Sequence, residues 1–151
     1  MKRSTIFWLV AVAVIFFVAA CAPQSTLRPV STEDQGAVAQ KLFNNPQDYE
    51  IYYYEWGNQV PACLIFDIKD DGKKIVVGPN WRKIESKQEL DAALDKGRMW
   101  KTHVVPRLEA IVGSDGAPWG YALTMTGSVV ASQANDTTMN ISPPRDIRPS
   151  Q

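Results

Sequence analysis

The stretch Glu50-Ile51-Tyr52-Tyr53-Tyr54-Glu55-Trp56 is followed by Gly57-Asn58 and then by Val60-Pro61-Ala62-Cys63-Leu64-Ile65-Phe66-Asp67-Ile68. β-branched and aromatic residues dominate both runs, and such residues fit a pleated, half-buried surface. Gly57-Asn58 supplies the turn between them. Asp71-Gly72 is a second turn signal, because both residue types tolerate positive φ. Lys73 to Val77 then returns as a third strand. Three strands joined by short turns read as an antiparallel meander, and this decides for a sheet-based fold.

Working outward, Gly78-Pro79-Asn80 interrupts the sheet. Ser86 followed by Glu89 is a capping-box pattern. Leu90, Ala93 and Leu94 form one apolar stripe, and Gly97 stands where a C-terminal cap belongs. The spacing predicts a helix over 87–96, lying across one face of the sheet. On the N-terminal side, Ser31 to Asp34 resembles a helix start. Val38, Ala39, Leu42 and Phe43 share a face, and Asn44-Asn45-Pro46 ends that helix.

Further along, Met99-Trp100 and Val104-Val105 read as extended, while Pro106 opens a short helix ending before Gly113. Gly113 to Pro118 is a loop. Trp119, Tyr121, Leu123 and Met125 alternate on one face of a strand. Thr126-Gly127 turns the chain into Ser128 to Ser132, and a last strand is expected over Thr137 to Ile141. The fold class is therefore α+β: an antiparallel sheet of about five or six strands with one or two short helices packed on it. A small sandwich or barrel-like closure is the alternative.

The 151 residues, 45% of them hydrophobic and 21% charged, suit one domain. The formal net charge is zero. No basic surplus exists to neutralise phosphates, so nucleic acid is not an expected partner.

The N-terminus carries an address. Lys2 and Arg3 precede an uncharged apolar run from Ile6 to Ala20. That run is shorter than the roughly 18 residues of a membrane-spanning helix and suits a signal-peptide core. It ends Val18-Ala19-Ala20-Cys21, which resembles the bacterial lipobox. The resemblance implies cleavage before Cys21 and a lipid on its thiol, with diacylglycerol and a further acyl chain such as palmitate. Each buried methylene contributes about 0.8 kcal/mol, so two or more chains hold a protein stably on a membrane. Ala22, rather than Asp, implies by the same resemblance the outer membrane, facing the periplasm. The expected layout is a signal peptide over 1–20, a lipidated tether over 21–35, one globular domain over 36–142 and a disordered tail over 143–151.

The search for chemistry assigns no catalytic, cofactor-binding or metal-binding residue. His103 is the only histidine, and Cys63 is the only thiol besides Cys21. Cys63 lies in an apolar run, where a low-pKa thiolate is disfavoured. Asp67, Asp70, Asp71 and Gly72 depart from a calcium loop, since Lys69 holds the third position and Gly78 the last. Glu50 with Glu55 is a carboxylate pair of unfixed separation. Ser114 lies in turn chemistry. The aromatics are the unusual feature. Tyr52, Tyr54 and Trp56 share one strand face, and with Trp81 they form a candidate binding surface. Core packing of those rings is the competing reading.

The expected role is a non-catalytic, lipid-anchored interaction or assembly module of the cell envelope. Its partners would be the membrane, through Cys21, and an envelope protein or cell-wall polymer. An envelope hydrolase is the first alternative. The second is an inhibitor of an attacking hydrolase, with Gly113 to Pro118 as its loop.

Overall fold

The computed structural model describes residues 26–56, 60–69, 71–100, 106–125 and 129–144. Nine strands and two helices occur there: β1 (Leu27–Pro29), α1 (Gln35–Asn44), β2 (Tyr49–Trp56), β3 (Val60–Ile68), β4 (Lys74–Val77), β5 (Trp81–Lys83), α2 (Lys87–Trp100), β6 (Arg107–Val112), β7 (Pro118–Thr124), β8 (Val130–Asn135) and β9 (Thr138–Ser142). They build a six-stranded sheet of order β1-β6-β7-β3-β2-β5 and a three-stranded sheet of order β4-β9-β8. The large sheet is antiparallel throughout. The α+β class stands, with the helices on one face of the large sheet and the small sheet on the other.

Side-chain alternation creates the layers. Along β3, Leu64 and Phe66 join Leu42, Leu90 and Ala93 of the helices in one core. Cys63 and Ile65 point the opposite way and join Ile75, Ala131, Met139 and Ile141 of the small sheet in a second core. From Pro61 to Asp67 every β3 residue is buried, as befits a central strand covered on both sides. Fully buried leucines such as Leu42 and Leu90 each contribute about 1.5–3 kcal/mol by leaving water.

The β2–β3 hairpin forms as expected, with one irregularity between Tyr54 and Glu55. Pro61 sits opposite Glu55 at that irregularity, a place where a missing N–H is tolerated. The turn after β3 also forms: Gly72 has φ +76, and the Lys73 N–H donates to Asp71 Oδ1 at 2.9 Å. The third strand, however, does not return to β3. Both edges of β3 are taken, by β2 and β7. β4 therefore crosses over the sheet and pairs in parallel with β9. Gly120 makes room for this crossing, since a Cβ there would collide with the Phe66 carbonyl oxygen and with Ile75 Cδ1.

Both helices start as the sequence suggests. Ser86 Oγ accepts the Glu89 N–H at 3.1 Å, and Glu89 Oε2 accepts the Glu85 N–H at 2.9 Å. Before α1, the Ser31 carbonyl accepts the N–H groups of Asp34 and Gln35. α2 runs past Gly97 to Trp100 rather than capping there.

Several expectations need correction. The helix expected after Pro106 is strand β6, whose residues Leu108 and Ile111 alternate between the two cores. Trp81–Lys83, just beyond the expected break at Gly78-Pro79-Asn80, forms a strand that pairs with β2. The tether is shorter than 21–35. Residues 27–29 pair with β6, Leu27 and Val30 pack against opposite cores, and Pro29 is tolerated because β1 is an edge. Trp119 does not share a face with Tyr121, Leu123 and Met125. The register shifts between Ile111 and Val112, and the extra residue turns the Trp119 indole into the core beneath the small sheet. Cys21 and His103 lie outside the described residues.

Candidate functional site

Among the described residues the helix-covered face is not closed. α1 contributes Gln35, Gly36, Ala39 and Phe43 to an open cleft, α2 contributes Leu94, and Leu108, Leu123 and Met125 form the floor. Its volume is about 450 Å³, within the range of small-molecule sites. Apart from the Gln35 side chain the lining is apolar. The cleft exists because α1 bears a broad apolar face: Leu42 is fully buried against the sheet, while Ala39 and Phe43 stay half-buried beside it. A Cβ on Gly36 would meet nothing within 4 Å, so none of the described residues fills the mouth there.

The opposite face holds the titratable groups. Glu50 on β2 stands directly across from Asp67 on β3. The Tyr52 hydroxyl donates to Glu50 Oε2 at 2.7 Å, and Lys83 Nζ approaches Oε1 at 3.1 Å. These two donors hold the Glu50 carboxyl below its ordinary value. Asp67 behaves oppositely: burial pushes it up to about 7, with Glu50 and Asp71 adding to the rise and a hydrogen bond from the Ile75 backbone opposing it. Burial also raises Glu109, against the pull of Arg107. The buried Glu109 Oε2, Trp81 Nε1 and Trp119 Nε1 have no hydrogen-bond partner among the described residues.

The proposed aromatic surface is only partly brought together. Trp81 pairs with Tyr54 across β5 and β2, with ring centroids 5.6 Å apart. Trp81 is buried at 7% exposure, so its ring is packing and not an exposed contact. Tyr52 and Tyr54 are half-buried against the same core. Burial, reinforced by the Glu50 hydrogen bond, raises the Tyr52 phenol well above its usual range. The backbone of Trp56 ends β2, while its side chain lies outside the described part.

The other candidates have plain positions. Cys63 is fully buried, its Sγ lies 3.8 Å from Thr124 Oγ1, and burial pushes the thiol up to about 12. A thiol so placed is no nucleophile near neutral pH. Glu50 and Glu55 are five residues apart on one strand, about 17 Å at 3.4 Å per residue, too far for paired carboxylate chemistry. Gly113 to Pro118 is a tight hairpin turn. The Gly113 N–H donates to the Ala117 carbonyl at 3.0 Å, and the Ala117 N–H donates to Asp115 Oδ1 at 2.9 Å. Among the described residues no group of three His, Cys, Asp or Glu is placed to hold a metal ion.

Sequence reasoning missed the Glu50–Asp67 pair and the cleft. The irregularity at Tyr54/Glu55 shifts the hairpin register by one. An unbroken ladder from Trp56 and Val60 would set Glu50 opposite Phe66. No composition signal marks such a bulge. The width of the α1 stripe, from Val38 to Phe43, was the available sign that one sheet contact would not cover it all.

Compared with protein-family models, with curated proteins and with solved structures, the chain gives no match.

Proposed function

We propose that this chain is a lipid-anchored protein of the cell envelope whose folded domain is a binding module rather than a catalyst. Cys21 is the lipid site, the outer membrane facing the periplasm is the location, and residues 22–25 are the start of the tether. The observation that carries the binding reading is the open apolar cleft between α1 and the sheet. An open, preformed apolar concavity suits an apolar segment of an envelope partner. It replaces the aromatic strand face as the candidate surface, because Trp81 is buried and Tyr52 is engaged with Glu50.

The envelope-hydrolase reading has one observation in its favour, the Glu50–Asp67 pair with its divided pKa values. Asp67 is nevertheless buried at 7% exposure and does not line the apolar cleft. Of the pair only Glu50 lines a cleft, a second one of about 500 Å³ shared with Lys69 and Lys83. The inhibitor reading rests on the hydrogen-bonded turn at Gly113–Pro118, whose Ser114 and Asp115 are exposed.

The test is in intact cells. Cross-linking followed by purification from the membrane fraction is expected to recover the chain with one specific envelope component. Cys21→Ala is expected to leave full-length precursor that takes up no labelled fatty acid. Unchanged processing and fatty-acid labelling would end the anchor reading, and a lone lipidated monomer would end the binding reading.

A further inference from the structure

The two sheets have four edge strands: β1, β5, β4 and β8. An edge strand offers unpaired N–H and C=O groups to any other chain, and proteins blunt such edges with short strands, Pro, Lys or Arg. Three of the four are blunted in this way. β1 is three residues long and contains Arg28 and Pro29. β5 is three residues long and contains Arg82 and Lys83. β4 is four residues long and opens with Lys74. β8 differs. It runs six residues, Val130-Ala131-Ser132-Gln133-Ala134-Asn135, without a charge or a proline. Its inner edge pairs with β9, and among the described residues no strand pairs with its outer edge. The register irregularity lies between Gln133 and Asn135, next to the hairpin turn, so Val130 to Gln133 stays regular. Val130 is 37% exposed and Ser132 is exposed, while Ala131 and the β9 residues Met139 and Ile141 anchor the sheet to the core.

We propose that β8 pairs with β8 of a second copy of this chain, antiparallel and edge to edge. The joint would turn two three-stranded sheets into one of six. Charge selects the second copy as occupant. In a two-fold antiparallel pair the strand meets itself, so any charged residue near its middle lies close to its own copy and repels it. β8 has none. A pair centred on Ser132 sets that residue opposite its own copy and Ala131 opposite Gln133, within the regular part of the strand, and leaves Asp136, in the turn, beyond it. Main-chain hydrogen bonds supply the attraction, as in strand addition generally. This inference does not rest on the lipid anchor or on the cleft.

The test uses the full chain purified in detergent. Sedimentation velocity is expected to show a dimer. Ser132→Lys, at an exposed position, should weaken it roughly tenfold by placing like charges across the joint, with an unchanged circular dichroism spectrum. Under mild oxidation Ser132→Cys should give a disulfide-linked dimer, whereas Val76→Cys on the far edge should not. A monomeric parent chain overturns the proposal. So does a dimer indifferent to Ser132→Lys, because its contact lies elsewhere. A dimer seen only after removal of residues 145–151 overturns it too, by showing that the chain's own end occupies the edge. A Ser132→Cys disulfide formed only to another protein assigns β8 to a foreign strand.

Discussion

The two faces of the large sheet are built from alternate residues of the same strands, yet they hold different things. Toward the helices, β2, β3, β6 and β7 send Ile51, Leu64, Phe66, Leu108 and Leu123, a nearly all-hydrocarbon set. Toward the small sheet they send Cys63, Asp67, Glu109 and Thr124, all buried, beside Trp119. Helices cannot follow a twisted sheet everywhere, so the first face keeps an open apolar cleft. The second face is covered by the small sheet and confines polar groups instead. Shape is therefore unsatisfied on one side and charge on the other. The proposed apolar partner would sit on the first kind of surface.

The largest expected effect concerns charge. The folded chain holds a proton on Asp67 up to about pH 7, whereas its ordinary carboxyl value is 3.8. The folded state thus binds more protons between those values. Asp67 therefore leaves stability at its fullest below about pH 4 and removes it as the pH rises toward 7. At about 1.4 kcal/mol per pH unit the loss is at most about 4 kcal/mol, and solvent screening reduces it. Glu50, held below 4.5, works in the opposite sense at lower pH. Asp67→Asn keeps an acceptor for the Ile75 N–H and removes the charge. Denaturant titrations at several pH values should show the variant more stable than the parent above pH 7 and little different near pH 4. Parallel pH profiles would mean that the second face confines no charge at Asp67.

Next comes space. Gly120→Ala forces a methyl against the Phe66 carbonyl and Ile75, and should cost about 3 kcal/mol. A midpoint close to that of the parent would show that β4 does not press on β7. The smallest effect belongs to the open face. Gly36 lies within α1, where an added Cβ meets nothing. Gly36→Ala should therefore raise stability by about 0.5–1 kcal/mol. A loss in its place would mean that the mouth of the cleft is filled.

Much of this fold was legible because its signals are local. The β2–β3 hairpin, the Ser86–Glu89 cap and the turn at Gly72 each depend on a few neighbouring residues. What escaped depends on distant partners. Lys74 to Val77 reads as a returning hairpin strand until both edges of β3 prove occupied. Leu27 to Pro29 reads as tether because a three-residue strand has no period to detect. Trp119 was set on the wrong face by a one-residue bulge, and Glu50 met Asp67 through another. The cleft is a gap between elements, and no pattern in one element encodes a gap. The proposed anchor stands apart from all this, since it is read from a linear stretch before Cys21.

The most direct test of the binding reading places a photoreactive residue at position 39, in the cleft, and another at Gln40, one step around α1 and exposed. After irradiation of intact cells, the account predicts one specific envelope component joined at position 39 and little or none at position 40. Equal labelling from both positions, or none from position 39, would contradict it.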